Sequence, residues 1–145
     1  MTDEVDLLVG PGLDPAEVTD IRAELAEWGL APRVRRMPTR RGAEIAWSIL
    51  LTLPAEIVVK TMLEHLGVRI YQELQTFVQR RLRRAPGARP VVVIESPESG
   101  ARYALDADLP LDAYHQMIKA LTVGGADDTL RTFDRTRGCW TAAEA

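Results

Sequence analysis

VDLLVGPGLDPAEVTDIRAELAEWGLAPRVRRMP, residues Val5 to Pro38, is the stretch on which the fold reading turns. It opens with a short apolar run closed by Gly10-Pro11-Gly12, the pattern of a buried strand leaving into a turn. Asp14-Pro15-Ala16-Glu17 then starts a helix. Asp14 is placed as N-cap, Pro15 sits at the first helical position where a missing N–H costs nothing, and Glu17 reaches back from N3. Val18, Ile21, Leu25 and Trp28 follow at steps of three and four and so share one face, until Gly29 stops the helix. Beyond it, Arg33-Val34-Arg35 alternates between Pro32 and Pro38, which predicts a short strand with an exposed, charged face at a sheet edge. The first unit is strand, helix, strand.

The middle of the chain is more apolar. Ile45, Trp47, Ile49, Leu50, Leu51 and Leu53 precede Pro54, which cannot donate a backbone bond and must begin a helix or kink one. After it, Ile57, Val58, Met62, Leu63, Leu66, Ile70, Leu74, Phe77, Val78 and Leu82 keep to steps of three and four. We read a helical pair over about 42–84, one helix before Pro54 and a longer one after it, with Gly67 as the place for a bend.

Pro90–Ser96 and Ala101–Ala107 flank Pro97-Glu98-Ser99-Gly100, a connection with turn chemistry, and predict a hairpin. Pro110 opens a helix in which Leu111, Tyr114, Met117, Ile118 and Leu121 share a face, ended by Gly124-Gly125. Thr129–Asp134 and Cys139–Ala142 bracket Arg135-Thr136-Arg137-Gly138 as a terminal hairpin, with Gly138 at positive φ. Setting the helical pair aside, the order is βαββαβ plus one strand. The expectation is a single α+β domain over 1–145: a ferredoxin-like (split βαβ) sandwich with an antiparallel or mixed sheet, helices on one face, an inserted helical pair and a C-terminal hairpin.

At 145 residues, 46% of them hydrophobic, the chain is long enough to bury a core without a metal or disulfide staple. One cysteine, Cys139, excludes an intrachain disulfide framework and a multi-cysteine zinc site. Met1–Asp6 is acidic and lacks the basic and apolar regions of a secretory signal, so a cytoplasmic location is expected. The net charge of -3 conceals three zones: -6 over residues 1–21, +7 over 22–89 and -4 over 90–145. The basic zone holds two clusters, Arg33, Arg35, Arg36, Arg40 and Arg41, then Arg80, Arg81, Arg83, Arg84 and Arg89. Sixteen of the eighteen bases are arginine and alanine is frequent, which a genome rich in G and C explains before guanidinium chemistry need be invoked. An acidic chain without aromatics among its arginines argues against nucleic acid as the partner.

No catalytic constellation emerges. Gly10-Pro11-Gly12 has the place of a dinucleotide-binding loop, but Pro15 takes the third glycine position, and Asp14 and Glu17 occupy the helix N-terminus that a pyrophosphate would need. Asp112 and His115 lie three apart on one helix as a conceivable acid and base pair, with no nucleophile placed beside them. His65 is read as an exposed helical histidine and Cys139 as structural. No catalytic, metal-binding or cofactor-binding residue is therefore assigned, no small-molecule substrate is evident, and an enzyme is not expected. The segment 45–59 is too short to span a bilayer, since only eleven uncharged residues separate Glu44 from Glu56. It suits a core or subunit interface, or the alternative of a membrane-surface effector flanked by Arg40, Arg41 and Lys60.

The capped helix between its strands, the run from Trp47 to Leu53 into Leu66-Gly67 and Tyr71, and the closing Arg137-Gly138-Cys139-Trp140 together resemble small accessory domains of bacterial conflict systems. Those occur beside, or fused to, effector and sensor proteins of antiviral defence. The resemblance implies an adaptor-like, non-enzymatic role and carries no site residue with it. The expected function is a protein-interaction module that binds another protein or its own copy, with Arg33, Arg35, Arg36, Trp47, Leu50, Leu51, Arg80 and Arg84 as candidate contacts. Binding of an anion or nucleic acid through the arginine clusters is the other alternative, and would weaken steeply with salt.

Overall fold

The computed structural model describes residues 4–9, 15–36, 47–83, 91–123 and 129–142. Seven strands form one mixed sheet: β1 (Glu4–Val9), β2 (Ala31–Arg36), β3 (Trp47–Thr52), β4 (Val91–Glu95), β5 (Arg102–Leu105), β6 (Leu130–Asp134) and β7 (Cys139–Ala142), in the spatial order β2-β1-β3-β4-β5-β6-β7. Helix α1 (Pro15–Glu27) joins β1 to β2. Between β3 and β4 runs a helical stretch made of α2 (Ala55–Ile57), a π-helical turn (Val58–Met62), α3 (Leu63–Leu66), a 3-10 turn (Gly67–Arg69) and α4 (Ile70–Arg83). Helix α5 (Leu111–Val123) joins β5 to β6.

The first unit, the β4/β5 hairpin, α5 and the terminal hairpin form as the sequence predicts. Ile21 and Leu25 of α1, and Trp28 just after it, are all fully buried, each contributing about 1.5–3 kcal/mol of apolar transfer. The bend falls at Gly67, whose φ of 56° and ψ of −135° belong to glycine and end α3.

Two expectations need correction. The first concerns the helical pair assigned to about 42–84. Trp47–Thr52 is a strand, paired antiparallel to β1 and parallel to β4, and helix begins only at Ala55. A short apolar run is ambiguous by periodicity alone, and here neighbouring strands on both sides decide it. Ile49 and Leu51 are 1% exposed on one face and Leu50 is 5% exposed on the other, which is the signature of a strand buried on both faces. The second correction is to the split βαβ. A ferredoxin-like sheet inserts a strand between the two strands of each unit, whereas β1 and β2 are direct parallel neighbours, as are β3 and β4, and β5 and β6. The sheet is three unsplit βαβ units side by side, joined through the antiparallel pairs β1/β3 and β4/β5, with β7 added antiparallel to β6.

All three helical segments cover one face, where Leu7, Leu25, Leu51, Phe77, Ile94, Tyr103 and Met117 belong to a single core. The first and second units run in opposite directions and step in opposite directions across the sheet, so their crossovers share a hand. The third runs opposite to the second but steps the same way, so its crossover has the opposite hand. The three units therefore cannot all follow the right-handed rule.

Candidate interaction surfaces

Among the described residues, the two ends of the strand order leave two edges, and they differ in chemistry. At the β2 edge, Pro32 has no N–H to donate, while Arg33 and Arg35 are exposed. Arg33 forks onto the Glu4 carboxylate of β1, with Nε to Oε1 at 3.1 Å and a terminal nitrogen to Oε2 at 2.8 Å. Proline and charge on an edge strand discourage pairing with another chain. At the β7 edge the sequence is Cys-Trp-Thr-Ala, with neither charge nor proline.

That second edge is held firmly. The Trp140 indole donates Nε1–H to the Ala113 carbonyl of α5 at 2.9 Å and meets Tyr103 and Phe133 edge to face, with centroids 5.2 and 5.5 Å away. Gln116 of α5 donates through Nε2 to the Gly138 carbonyl at 2.7 Å and to the Asp112 carboxylate at 2.8 Å. The turn before β7 is fixed by Asp134, whose carboxylate accepts the Thr136 and Arg137 N–H groups and whose carbonyl accepts that of Gly138 at 2.7 Å. Gly138 has the expected positive φ, 68°. The flank of α5 on this side continues from Ala113 and Gln116 to Ala120 and Val123, at steps of three and four, and Val123 is 73% exposed.

The sequence-derived candidates are dispersed. Arg33 and Arg35 lie on β2, and Arg36 ends it, in register with Val9. The row Arg36, Val9, Ile49, Val92, Leu105 crosses the sheet at one end, and Gln79 of α4 bonds the Ala107 carbonyl just past Leu105 at 3.4 Å. The last turn of α4, Arg80 to Arg83, therefore lies towards the same end as Arg36. Arg80 has a local role: it pairs at 3.3 Å with Glu24 of α1, whose side chain is only 9% exposed. Arginines in a last helical turn also complement the helix dipole. Arg40, Arg41, Arg84 and Arg89 lie outside the described residues, as do the Gly10-Pro11-Gly12 loop and Asp14.

Trp47 starts β3. Leu50 belongs to the row Arg35, Leu8, Leu50, Val93, Ala104 on the face opposite the helices, where Val93 is fully buried; Leu51 points into the core. Ile49, Leu50, Leu51, Leu53 and Val58 are thus enclosed, and of the described large apolar residues in 45–59 Val59 is the exposed one. Among the described residues no helix is long and apolar enough to cross a membrane, and no group of three or more His, Cys, Asp or Glu side chains is placed to hold a metal.

Asp112 and His115 do not form the conceived pair. Asp112 receives Gln116, while His115 stacks on Tyr71 of α4 with centroids 3.6 Å apart. His65 does more than face solvent: its Nδ1 is 2.9 Å from the Thr61 carbonyl, and its ring abuts Gly29. Cys139 is a half-buried free thiol on β7. Sequence reasoning named neither Trp140 nor Gln116 as a candidate, although an indole placed two residues after a hairpin glycine was a visible signal.

No family model, curated protein or solved structure matches the chain.

Proposed function

We propose that this chain is a cytoplasmic protein-interaction module, an adaptor whose contact surface is the β7 edge and the neighbouring flank of α5. The observation that carries this reading is the inequality of the two edges. β2 has the proline and arginines that prevent pairing, whereas β7 is uncharged and is held in place by Trp140 and Gln116. A pre-ordered edge offers main-chain hydrogen bonds to an incoming strand at little further ordering cost. The arginine clusters, favoured by sequence, support it less, because Arg33 and Arg80 are engaged by Glu4 and Glu24. A place in a bacterial defence system is the setting that the sequence resemblance supports.

The test is affinity capture from the native host with the wild-type chain and with Thr141→Lys, which puts a charge on the edge. At least one stoichiometric partner, a further copy of the chain included, is expected with the wild type and lost with the variant. Equal recovery by both proteins, each shown folded by circular dichroism, contradicts the proposal.

A further inference from the structure

We infer that the partner at this edge is a second copy of the same chain, paired β7 to β7 in an antiparallel, two-fold arrangement. This rests on the interaction reading above and goes beyond it by naming the occupant. A strand that pairs antiparallel with its own copy is self-complementary, which is the condition for a closed isologous dimer. The two-fold axis stands perpendicular to the extended sheet, so both helical layers remain on the same side and the two α5 helices meet antiparallel across it.

The α5 flank is suited to that meeting. Ala120 is small and Val123 is 73% exposed, an apolar side chain left uncovered among the described residues. Asp112 and Lys119 are both exposed and lie seven residues, or about 10 Å, apart on the side of the helix that carries Gln116 and Val123. An antiparallel copy centred level with Gln116 brings the Asp112 of each chain towards the Lys119 of the other, giving two opposite-charge pairs, with Val123 four residues beyond Lys119 towards the start of the partner's helix. β7 itself brings no like charges together on the axis. A second β2 edge would do so, since pairing centred on Val34 sets Arg33 of each chain opposite Arg35 of the other.

Sedimentation equilibrium on the full chain, from micromolar to millimolar, tests the inference. A reversible monomer–dimer equilibrium is expected, abolished by Thr141→Lys and by Val123→Glu. Asp112→Lys and Lys119→Asp each weaken it about tenfold, and the double variant recovers most of that loss. A chain that is monomeric throughout overturns the inference, as does a dimer indifferent to Thr141→Lys and Val123→Glu, or a double variant no tighter than the singles. If the chain is monomeric yet loses a different captured protein on Thr141→Lys, the interaction reading stands and only the identity of the partner is wrong.

Discussion

Gly29 shows how one residue joins two elements. Its φ of 83° makes it the left-handed cap of α1, with Gly29 N–H donating to the Ala26 carbonyl and Leu30 N–H to that of Leu25, each at 3.0 Å, the two bonds of a Schellman motif. Leu25 and Leu30, both buried, supply the apolar contact that accompanies it. A Cβ at position 29 would lie 2.8 Å from His65 Cε1 and 2.9 Å from Thr61 Cγ2, so the helical stretch after β3 packs directly onto this cap. Gly138 has a similar φ, but a Cβ there meets nothing within 4 Å. Gly138→Ala should therefore cost about 1 kcal/mol of backbone strain, and Gly29→Ala about 2–3 kcal/mol because crowding is added to strain. Urea denaturation of the two variants measures the difference, and equal losses would show that the approach of His65 is not tight.

Tyr114 presents the opposite case, a polar atom enclosed in the core. Its hydroxyl is buried without a hydrogen-bond partner among the described residues. Burial pushes its ionisation above the ordinary value of 10.0, and the Asp106 carboxylate adds to the shift. Burial also raises Tyr103, with Arg131 working against it. The unfolded chain releases these phenolic protons near pH 10, whereas the folded chain holds them to higher pH. The associated stability is complete below about pH 10 and is lost as the pH rises beyond it. Tyr114→Phe should leave stability at pH 7 unchanged or higher by up to about 1 kcal/mol, since an unsatisfied group is removed. It should also move alkaline unfolding to higher pH. A loss above about 1 kcal/mol at pH 7 would mean that the hydroxyl is hydrogen-bonded.

At the scale of elements, legibility depended on whether the deciding interaction was local. Pro15 opening α1, Gly29 closing it, and the turn chemistry of Pro97–Gly100 and Arg135–Gly138 act within a few residues, and these elements appear where the sequence places them. Trp47–Thr52 carries no such local mark. It became a strand because β1 and β4 offer ladders on either side, a fact forty residues away in the chain for Val9 and Ile49. The same limit explains the topology. The order of elements was correctly read apart from β3, but whether β2 lies beside β1 or beyond another strand depends on register, which no local pattern contains. The candidate contacts fared similarly. Arginine runs are conspicuous in sequence, while an edge is defined by the absence of a neighbour, which only the assembled sheet reveals. Leu50 and Leu51 were apolar enough to be offered as contacts and are instead consumed inside the molecule.

For the molecule as a whole, the fold turns the charge zones inward upon one another. The acidic first strand lies beside the arginine-bearing β2, with Glu4 on Arg33 and Asp6 in register with Arg33, so opposite charges from the two zones meet within one chain. What remains for association is the apolar, uncharged β7 edge at the other end of the sheet, some six strands away. Peptide-resolved hydrogen exchange of the two edges against protein concentration tests this most directly. Protection of Cys139–Ala142 should increase with concentration while that of Ala31–Arg36 stays constant. Protection that rises at β2 and not at β7 would contradict the account.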